Sequence, residues 1–399
     1  RMWPAGILRH EATKRTKDVP TIDLHALDPS KAWSFLDVPV VLSTSLAPGQ
    51  SFGWKKLDLP QDTFLGVLET SAVLFVQETN GISWKTLAGP DATSGMVRGF
   101  FALDEGMAEQ LRAAWAERCP RLAQVAKSLP GLCVLQQDLV ETIFRFICSQ
   151  NNNVSRICLL MDRLRAKFGQ PLCTVIGAKA DGDLTVLREF NAHRTLFTFP
   201  SITQLAAASE SCLQSLGLGY RAAYVRGAAK LLQKDKSLLK WLEDCRLHRF
   251  DLSAVDALQT DEPAALRKHR LEVREKLCRL PGVGLKVADC IALFALKQHG
   301  AVPVDVHVWR IVTRDYDPEL RKAKSLTPAI YDRVGDSFRC RFGAIYAGWA
   351  HSLLFGAEFG TLKAQLPAKL LEEMDQYREK EKVKKRKRAA GASKKPSMK

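Results

Sequence analysis

No stretch of the chain offers the eighteen or more consecutive apolar residues that a membrane-spanning helix needs. The longest runs, such as "CIALFAL", stop far short, which predicts a soluble protein. No two cysteines form a C-x-x-C pair and none follows Cys340, so neither a structural zinc nor a C-terminal iron–sulfur cluster is expected. The ten cysteines sit mostly among apolar neighbours, as in "FICSQ" and "VADCIAL", the pattern of reduced, buried thiols in an intracellular protein. Acidic residues are short of basic ones, 43 against 59, and the formal charge of +16 points to a polyanionic partner such as nucleic acid or an acidic membrane face. That excess is uneven. Residues 378–399 hold eleven Lys/Arg and two Glu, a net +9, so the preceding body carries only +7 and any nucleic-acid footprint on it must be local.

At 399 residues, two or three domains with unstructured ends are expected. The first residue is Arg, which leaves the natural start open. The first twenty residues lean basic without a long apolar core, which excludes a secretory signal and leaves a mitochondrial presequence open. From Trp33 to Lys85 the runs "FLGVLET", "AVLFVQET" and "ISWKTLA", with the turn signal "TNG", predict an antiparallel sheet. After Gly99 the spacing of apolar residues becomes i, i+3, i+4, and the remainder reads as helical. The chain is therefore α+β, with a basic, unstructured segment over 1–30 and a β-rich domain over 31–129. A helical core over 130–360 follows, with a helix–hairpin–helix at 272–296. Gly, Asp and Asn interrupt the pattern over 176–198, which suggests a surface insertion. The polar, repetitive tail over 361–399 reads as disordered, and its "KKRKR" as a nuclear address, a nonspecific nucleic-acid arm or a merely solubilising run.

The chemistry concentrates in "LPGVGLKVADC" and "VPVDVHVWRI". Gly282 and Gly284 lack Cβ, so a hairpin here can turn backbone N–H groups outward at a helix start, an anion site suited to a DNA phosphate. A purely structural helix corner would also favour glycine. Lys286 falls in the first turn of the second helix, where the dipole and desolvation both disfavour its charge and leave more nucleophilic amine. A solvated surface lysine is the plain alternative. Asp305 reads as an N-cap, and a carboxylate fixed at a helix start can also steady positive charge on a sugar or move a proton for the lysine. His307 in the following turn is placed to donate to a phosphate or simply to pack.

These two blocks together resemble the helix–hairpin–helix DNA glycosylases with a Gly/Pro-rich loop and a catalytic Asp. The further blocks "APGQSFGW", "FICSQNNNVSRI", "LGLGYRAAYV" and "YAGWAHSLLF", in matching order from about residue 33 to 356, narrow the resemblance to the eukaryotic 8-oxoguanine DNA glycosylases. The resemblance implies a TBP-like N-terminal sheet domain, a monomer and no cofactor. Its implied partner is double-stranded DNA containing oxidised guanine opposite cytosine. Lys286 would attack C1′ of the damaged nucleotide and form a Schiff base that β-eliminates 3′ to the lesion, with Asp305 as the essential aspartate. Gly282, Gly284, Val287 and His307 would hold the flanking phosphates. The base must first leave the stack. The resemblance places the Gly49 carbonyl against the N7 hydrogen of the oxidised base, and Phe355 and Cys290 on its two faces. Asn151 would fill the vacated hole, Arg156 and Arg221 would read the widowed cytosine, and Tyr220 would wedge beside it.

Two positions depart from the family pattern. Gly53 stands where a basic residue is expected, which should remove an ion pair and loosen that loop. His351 stands where a glutamine commonly reads the base edge, and its unperturbed pKa near 6.5 would bring a charge change into the working range. Other readings are a relative acting on another damaged base and a noncatalytic DNA-binding module. The presence of both Lys286 and Asp305 favours catalysis, and Lys286 argues against the adenine-specific branch.

Overall fold

The computed structural model describes residues 15, 18–27, 33–46, 49–103, 107–177, 194–247, 258–358 and 360–392. The predicted antiparallel sheet is present as five strands in the order β2-β6-β5-β4-β3, which a separate three-stranded sheet, β1-β7-β8, accompanies. Here β1 is Thr21–Asp23, β2 Ser34–Asp37, β3 Lys55–Leu57, β4 Thr63–Leu68, β5 Ser71–Glu78, β6 Gly81–Ala88, β7 Pro171–Ile176 and β8 Arg194–Phe197. Strand β5 explains how the sheets fit together. Val73 and Phe75 point into one core with Trp54, Trp84, Phe100 and Phe101, whereas Ala72 and Leu74 point into another with Leu24, Cys173, Val175 and Leu196. Both faces are therefore dry, and "AVLFV" reads as a continuous apolar run rather than an alternation.

That second core corrects two expectations. The segment over 176–198 is not simply a surface insertion: its ends form β7 and β8, whose Cys173 and Leu196 cover one face of the main sheet. Residues 178–193 lie outside the described residues. Nor is all of 1–30 unstructured, because β1 pairs in parallel with β7, Thr21 opposite Thr174, and Leu24 enters the same core. Residues 1–14 lie outside the described residues.

The helices that matter for the site are α1 (Ser94–Phe100), α2 (Ala108–Arg118), α3 (Pro120–Ser128), α4 (Leu139–Ser149), α5 (Val154–Phe168) and α6 (Arg221–Lys234). They continue with α7 (Ala264–Cys278), α8 (Leu285–Ala295), α9 (Val306–Asp315), α10 (Pro328–Phe342), α11 (Ala347–Gly356) and α12 (Ala368–Ala392). Only α1 joins the sheet's core, whereas α2 and α3 contribute Leu111, Trp115, Leu122 and Val125 to the helical core. The helical core thus takes in α2 and α3 as well as the helices that follow. The tail expected to be disordered begins as α12, because Leu370 and Met374 still find apolar surface to bury.

The two layers are joined by the extended segment 133–137. Gln50 donates to the Ser45 and Cys133 carbonyls and accepts from Leu135 N, and Gln137 donates to the Gln50 carbonyl. Gln137 N in turn donates to the Phe294 carbonyl of α8 at 2.7 Å. Beside this seam a buried Glu141 receives Arg145 and Arg165, and a Cβ on Gly53 would sit 3.8 Å from all three charged groups. Phe52, next to Gly53, is buried in the helical core, and two arginines already stand where a basic residue 53 would bring a third cation.

Burial raises the Glu141 pKa, but Arg165 and Arg145 outweigh it and hold the carboxyl below its usual range. Its contribution to stability is thus present above the ordinary glutamate pKa of about 4.3 and fades as pH falls through the lowered folded value. Glu141→Gln leaves two buried guanidiniums short of their counter-charge, and a loss of about 3 kcal/mol in urea unfolding is expected at neutral pH. The loss should shrink towards acid pH; a midpoint unchanged at pH 7 would show that the cluster is not structural.

Candidate active site

The stretch around the expected 272–296 folds into a helix, Ala264–Cys278, a hairpin, and a second helix, Leu285–Ala295. Leu280 and Val283 bury their side chains in the core and Val283 N closes the turn on the Leu280 carbonyl at 3.0 Å. Gly282 has φ +81°, and a Cβ there would lie 2.7 Å from the ring of Tyr224, so only glycine fits. Gln150, at the end of α4, donates to the Gly282 carbonyl at 2.6 Å and ties the hairpin down from behind. Gly284 is the N-cap of α8 and supplies no side-chain cap, and nothing lies within 4 Å of where its Cβ would be. The first N–H groups of α8, among them that of Val287, are therefore left for an outside acceptor.

Lys286 and Asp305 meet at the starts of two helices. Nζ of Lys286 lies 3.2 Å from Oδ2 of Asp305, with the lysine half-exposed and the aspartate largely buried. The other oxygen, Oδ1, accepts from His307 N at 2.8 Å and Val308 N at 3.1 Å, so capping and contact with the lysine fall on separate atoms. Burial raises the Asp305 pKa, but Lys286 and the two backbone donors prevail and hold it below the usual carboxylate range.

Lys286 departs from expectation. Burial lowers its pKa, but Cys290 and Asp305 outweigh it and the net shift is upward. Cys290 counts only as a thiolate, and burial pushes that thiol to about 12, so at neutral pH the raising charge is Asp305. The resting lysine is an ammonium: the helix dipole and desolvation oppose its charge, but an ion partner at contact distance is stronger than either.

Of the residues assigned to the base, Cys290, His351 and Phe355 lie beside the same pair. Gly49 has φ +135°, a conformation suited to glycine, and Gln50 next to it is pinned to the 133–137 seam. Cys290 is one turn beyond Lys286 on α8 and buried. On α11, His351 stacks on Phe355 at 5.4 Å and 17°, and Phe355 meets His307 edge-on at 6.1 Å. His351 is only 2% exposed, and burial pushes its pKa down to about 4 against the opposing pull of Asp305. Its charge change therefore lies below the working range, not within it.

The second group lies where α4 ends. Asn151 takes φ +44°, Asn152 donates back to the Cys148 carbonyl, and Asn153 caps α5 by accepting from Arg156 N. The "NNN" run is thus a helix break in which each residue has a backbone task. Tyr220 is half-exposed, with its OH 3.4 Å from both Asn151 Nδ2 and the Gln150 carbonyl. Arg156 is exposed and donates to the Gly217 carbonyl at 3.2 Å. Arg221 is buried, and its guanidinium holds the Gln150 and Asn151 carbonyls. Of the expected pair only Arg156 is open to a base; Arg221 shapes the loop that carries Asn151.

One set of residues is not apparent from sequence. Asp289, buried in α8, accepts both Nε and Nη2 of Arg274 at 3.0 Å and the Tyr331 hydroxyl at 2.7 Å. The same Tyr331 oxygen accepts from Val304 N at 3.2 Å, one residue before Asp305. The carboxylate side of the reactive pair is thereby hung from the helix that carries the lysine. A lone Asp inside "VADCIALFAL" was the available signal, since an acid in an apolar helix needs a buried partner.

Comparison with known proteins agrees with this geometry. Residues 144–334 match the family described as HhH-GPD superfamily base excision DNA repair protein, and residues 36–143 match the 8-oxoguanine DNA glycosylase N-terminal domain. The chain is 34% identical over 333 residues to the N-glycosylase/DNA lyase OGG1 of Arabidopsis thaliana, covering 82% of this chain and 80% of that one. It is 31% identical over 345 residues to the N-glycosylase/DNA lyase of Saccharomyces cerevisiae, covering 80% and 83%. The fold also matches the 8-oxoguanine glycosylase/lyase of Clostridium acetobutylicum, solved with double-stranded DNA containing cytosine opposite 8-oxoG, at a TM-score of 0.61 and 19% identity over 82% of this chain and 97% of that one. With both halves of its fold matched in order and the lysine and aspartate in contact, the chain belongs to the eukaryotic 8-oxoguanine DNA glycosylases of the helix–hairpin–helix superfamily.

Proposed function

We propose that this chain is a DNA N-glycosylase with an associated β-elimination lyase step, which flips 8-oxoguanine out from opposite cytosine and removes it through a Schiff base on Lys286. The observation that carries this reading is the 3.2 Å contact between Lys286 Nζ and Asp305 Oδ2 beside an uncapped helix start. The relatives named N-glycosylase/DNA lyase support the reaction class.

In this reading the N–H groups at Gly284 and Val287, with His307, hold the backbone of the damaged strand while the hairpin residue Gly282 permits close approach. The deprotonated Nζ attacks C1′. The C1′–N9 bond breaks, the base leaves with its electron pair and takes up a proton, and the sugar opens to a C1′=N imine. Loss of a C2′ proton and of the 3′ phosphate then nicks the strand. Asp305 faces the positive charge that develops on the sugar, so the breaking bond competes with Lys286 for one carboxylate. Gly49 selects the N7 hydrogen of the lesion, Cys290 and the open face of Phe355 stack on the base, and His351 lines its edge. Asn151, Arg156 and Tyr220 occupy the gap and face the cytosine, with Arg221 supporting them. This chemistry implies a DNA-associated location, and the basic run "KKRKR" favours the nucleus.

Borohydride should trap a covalent adduct with lesion DNA, and Lys286→Gln should lose both adduct and excision while still binding the lesion. Full trapping by that variant would place the nucleophile elsewhere. For Asp305→Asn the helix cap is retained, because Asn also caps well, and turnover should fall by at least about a hundredfold. Removing the carboxylate also removes what raises the Lys286 pKa, so the pH midpoint of trapping should move down; equal losses of stability and activity with no shift would mean that Asp305 only caps. His351 remains neutral above about pH 5, given its pKa of about 4. His351→Gln should therefore change the relative rates on different oxidised purines without altering the single-turnover pH profile between about 5.5 and 8. A step near 6.5 that the substitution abolishes would show that the imidazole titrates in the working range after all.

A further inference from the structure

A cavity of about 320 Å³ opens where the β layer meets the helical core, and none of the residues assigned to catalysis or to the lesion base lines it. Phe101 on its wall belongs to the core of the main sheet, whereas Trp115 of α2, Leu132 just before the seam, and Trp349 and Leu353 of α11 belong to the helical core. Small-molecule sites are concave, about 300–1,000 Å³ in volume, and mostly apolar with a few placed polar groups. This cavity stands at the small end of that range, with room for a ligand of one or two rings.

Arg112 of α2 supplies the placed polar group. It lines the cavity half-buried, and its Nη2 donates to the carbonyl of Leu132 in the same wall. Among the described residues no carboxylate bonds it. Burial pushes its pKa down, and the opposing pulls of Cys133 and Glu109 do not make up the difference. Cys133 counts only as a thiolate, and burial pushes that thiol up to about 11, so at neutral pH the acid that acts on Arg112 is Glu109, exposed one turn back on α2. A guanidinium short of counter-charge has N–H groups left for a carboxylate, which its planar fork suits. Beside walls of Trp115 and Trp349, the complementary ligand is a flat ring that bears one acid.

Two walls of the cavity lead on to residues assigned to the base. Gln50, next to Gly49, donates to the carbonyl of Cys133, which also lines the cavity. On α11, Trp349 and Leu353 stand about 200° around the helix from His351 and Phe355, so one face meets the cavity and the opposite face carries the stacked pair. We propose that this cavity is a second ligand site, which takes an aromatic monocarboxylate with its ring against Trp115 and Trp349 and its acid on Arg112, and that its occupancy alters excision through α11 and the seam. The coupling rests on the glycosylase reading above; the binding does not.

The test uses the full chain and naphthoate, with binding read by calorimetry and the neutral naphthylmethanol as the ring without the acid. Naphthoate should saturate a single site, and Arg112→Gln should weaken it about tenfold or more, the loss expected for a hydrogen bond to a charged group, while the neutral ring binds as before. Ala108→Phe, at the half-buried start of α2, fills the cavity and should abolish binding of both molecules without lowering the melting temperature. Naphthoate that binds either variant as tightly as the unaltered chain overturns the site, because the basic surface would then be holding the acid. Octanoate bound more tightly than naphthoate overturns the aromatic ligand class. In single-turnover excision of 8-oxoguanine, saturating naphthoate should change the rate about fivefold or more in the unaltered chain and leave Ala108→Phe unaffected. A chain that excises no lesion with or without naphthoate sinks the glycosylase assignment, whereas excision that ignores bound naphthoate sinks only the coupling.

Discussion

Asp289 sits inside α8 with water excluded from its carboxylate, and the helix bearing it can persist there only if that charge is met on all sides. Arg274 from α7 meets it with two parallel hydrogen bonds and Tyr331 from α10 with a third. An unmatched charge in such a place costs about 3–5 kcal/mol, so the three helices cannot drift apart without a large loss. Because the Tyr331 oxygen also receives Val304 N, the strand entering α9 is fixed by the same network. The strand that brings Asp305 to Lys286 is therefore held by the buried polar cluster of Asp289, Arg274 and Tyr331.

The β lobe reaches the site by another chain of hydrogen bonds. Gly49 lies on a loop whose next residue, Gln50, is bonded to Ser45, Cys133, Leu135 and Gln137, and Gln137 N is bonded to Phe294 at the far end of α8. A loop is ordinarily the most mobile part of a fold. Here the loop is referred, through Gln50 and Gln137, to the helix that carries Lys286. Seven of the ten cysteines are buried in these layers as small apolar packing groups.

Local pattern made the main architecture legible. The i, i+3, i+4 spacing after Gly99 and the paired glycines of "LPGVG" are short-range signals, and the helices and hairpin stand where they point. The contacts that escaped notice are long-range. Strands β1 and β7 are about 150 residues apart in sequence, and nothing within "PTIDL" announces a parallel partner at Thr174. The tail "LPAKLLEEMDQYREKEK" carries few apolar residues, so composition argued for disorder, but Leu370 and Met374 are spaced one turn apart and find the core. Gly53 reads as a missing cation when only its neighbours in sequence are in view, whereas Arg145 and Arg165 lie across the seam.

Charge balance at the reactive pair was the least legible feature, because it depends on which of several modest effects is nearest. From sequence, a lysine beside a helix start suggests a free amine. The structure adds a carboxylate 3.2 Å away, and at that distance a partly buried ion pair outweighs a dipole spread over a helix turn. In the resting site the ion pair thus favours the ammonium form of Lys286. Under the proposed mechanism, a sugar that begins to carry positive charge offers Asp305 a competing partner, and the lysine then loses what holds its proton. On that mechanism the amine is suppressed in the empty site and freed as the glycosidic bond weakens, so that Lys286 attacks C1′ of a nucleotide whose base is departing and not DNA at large.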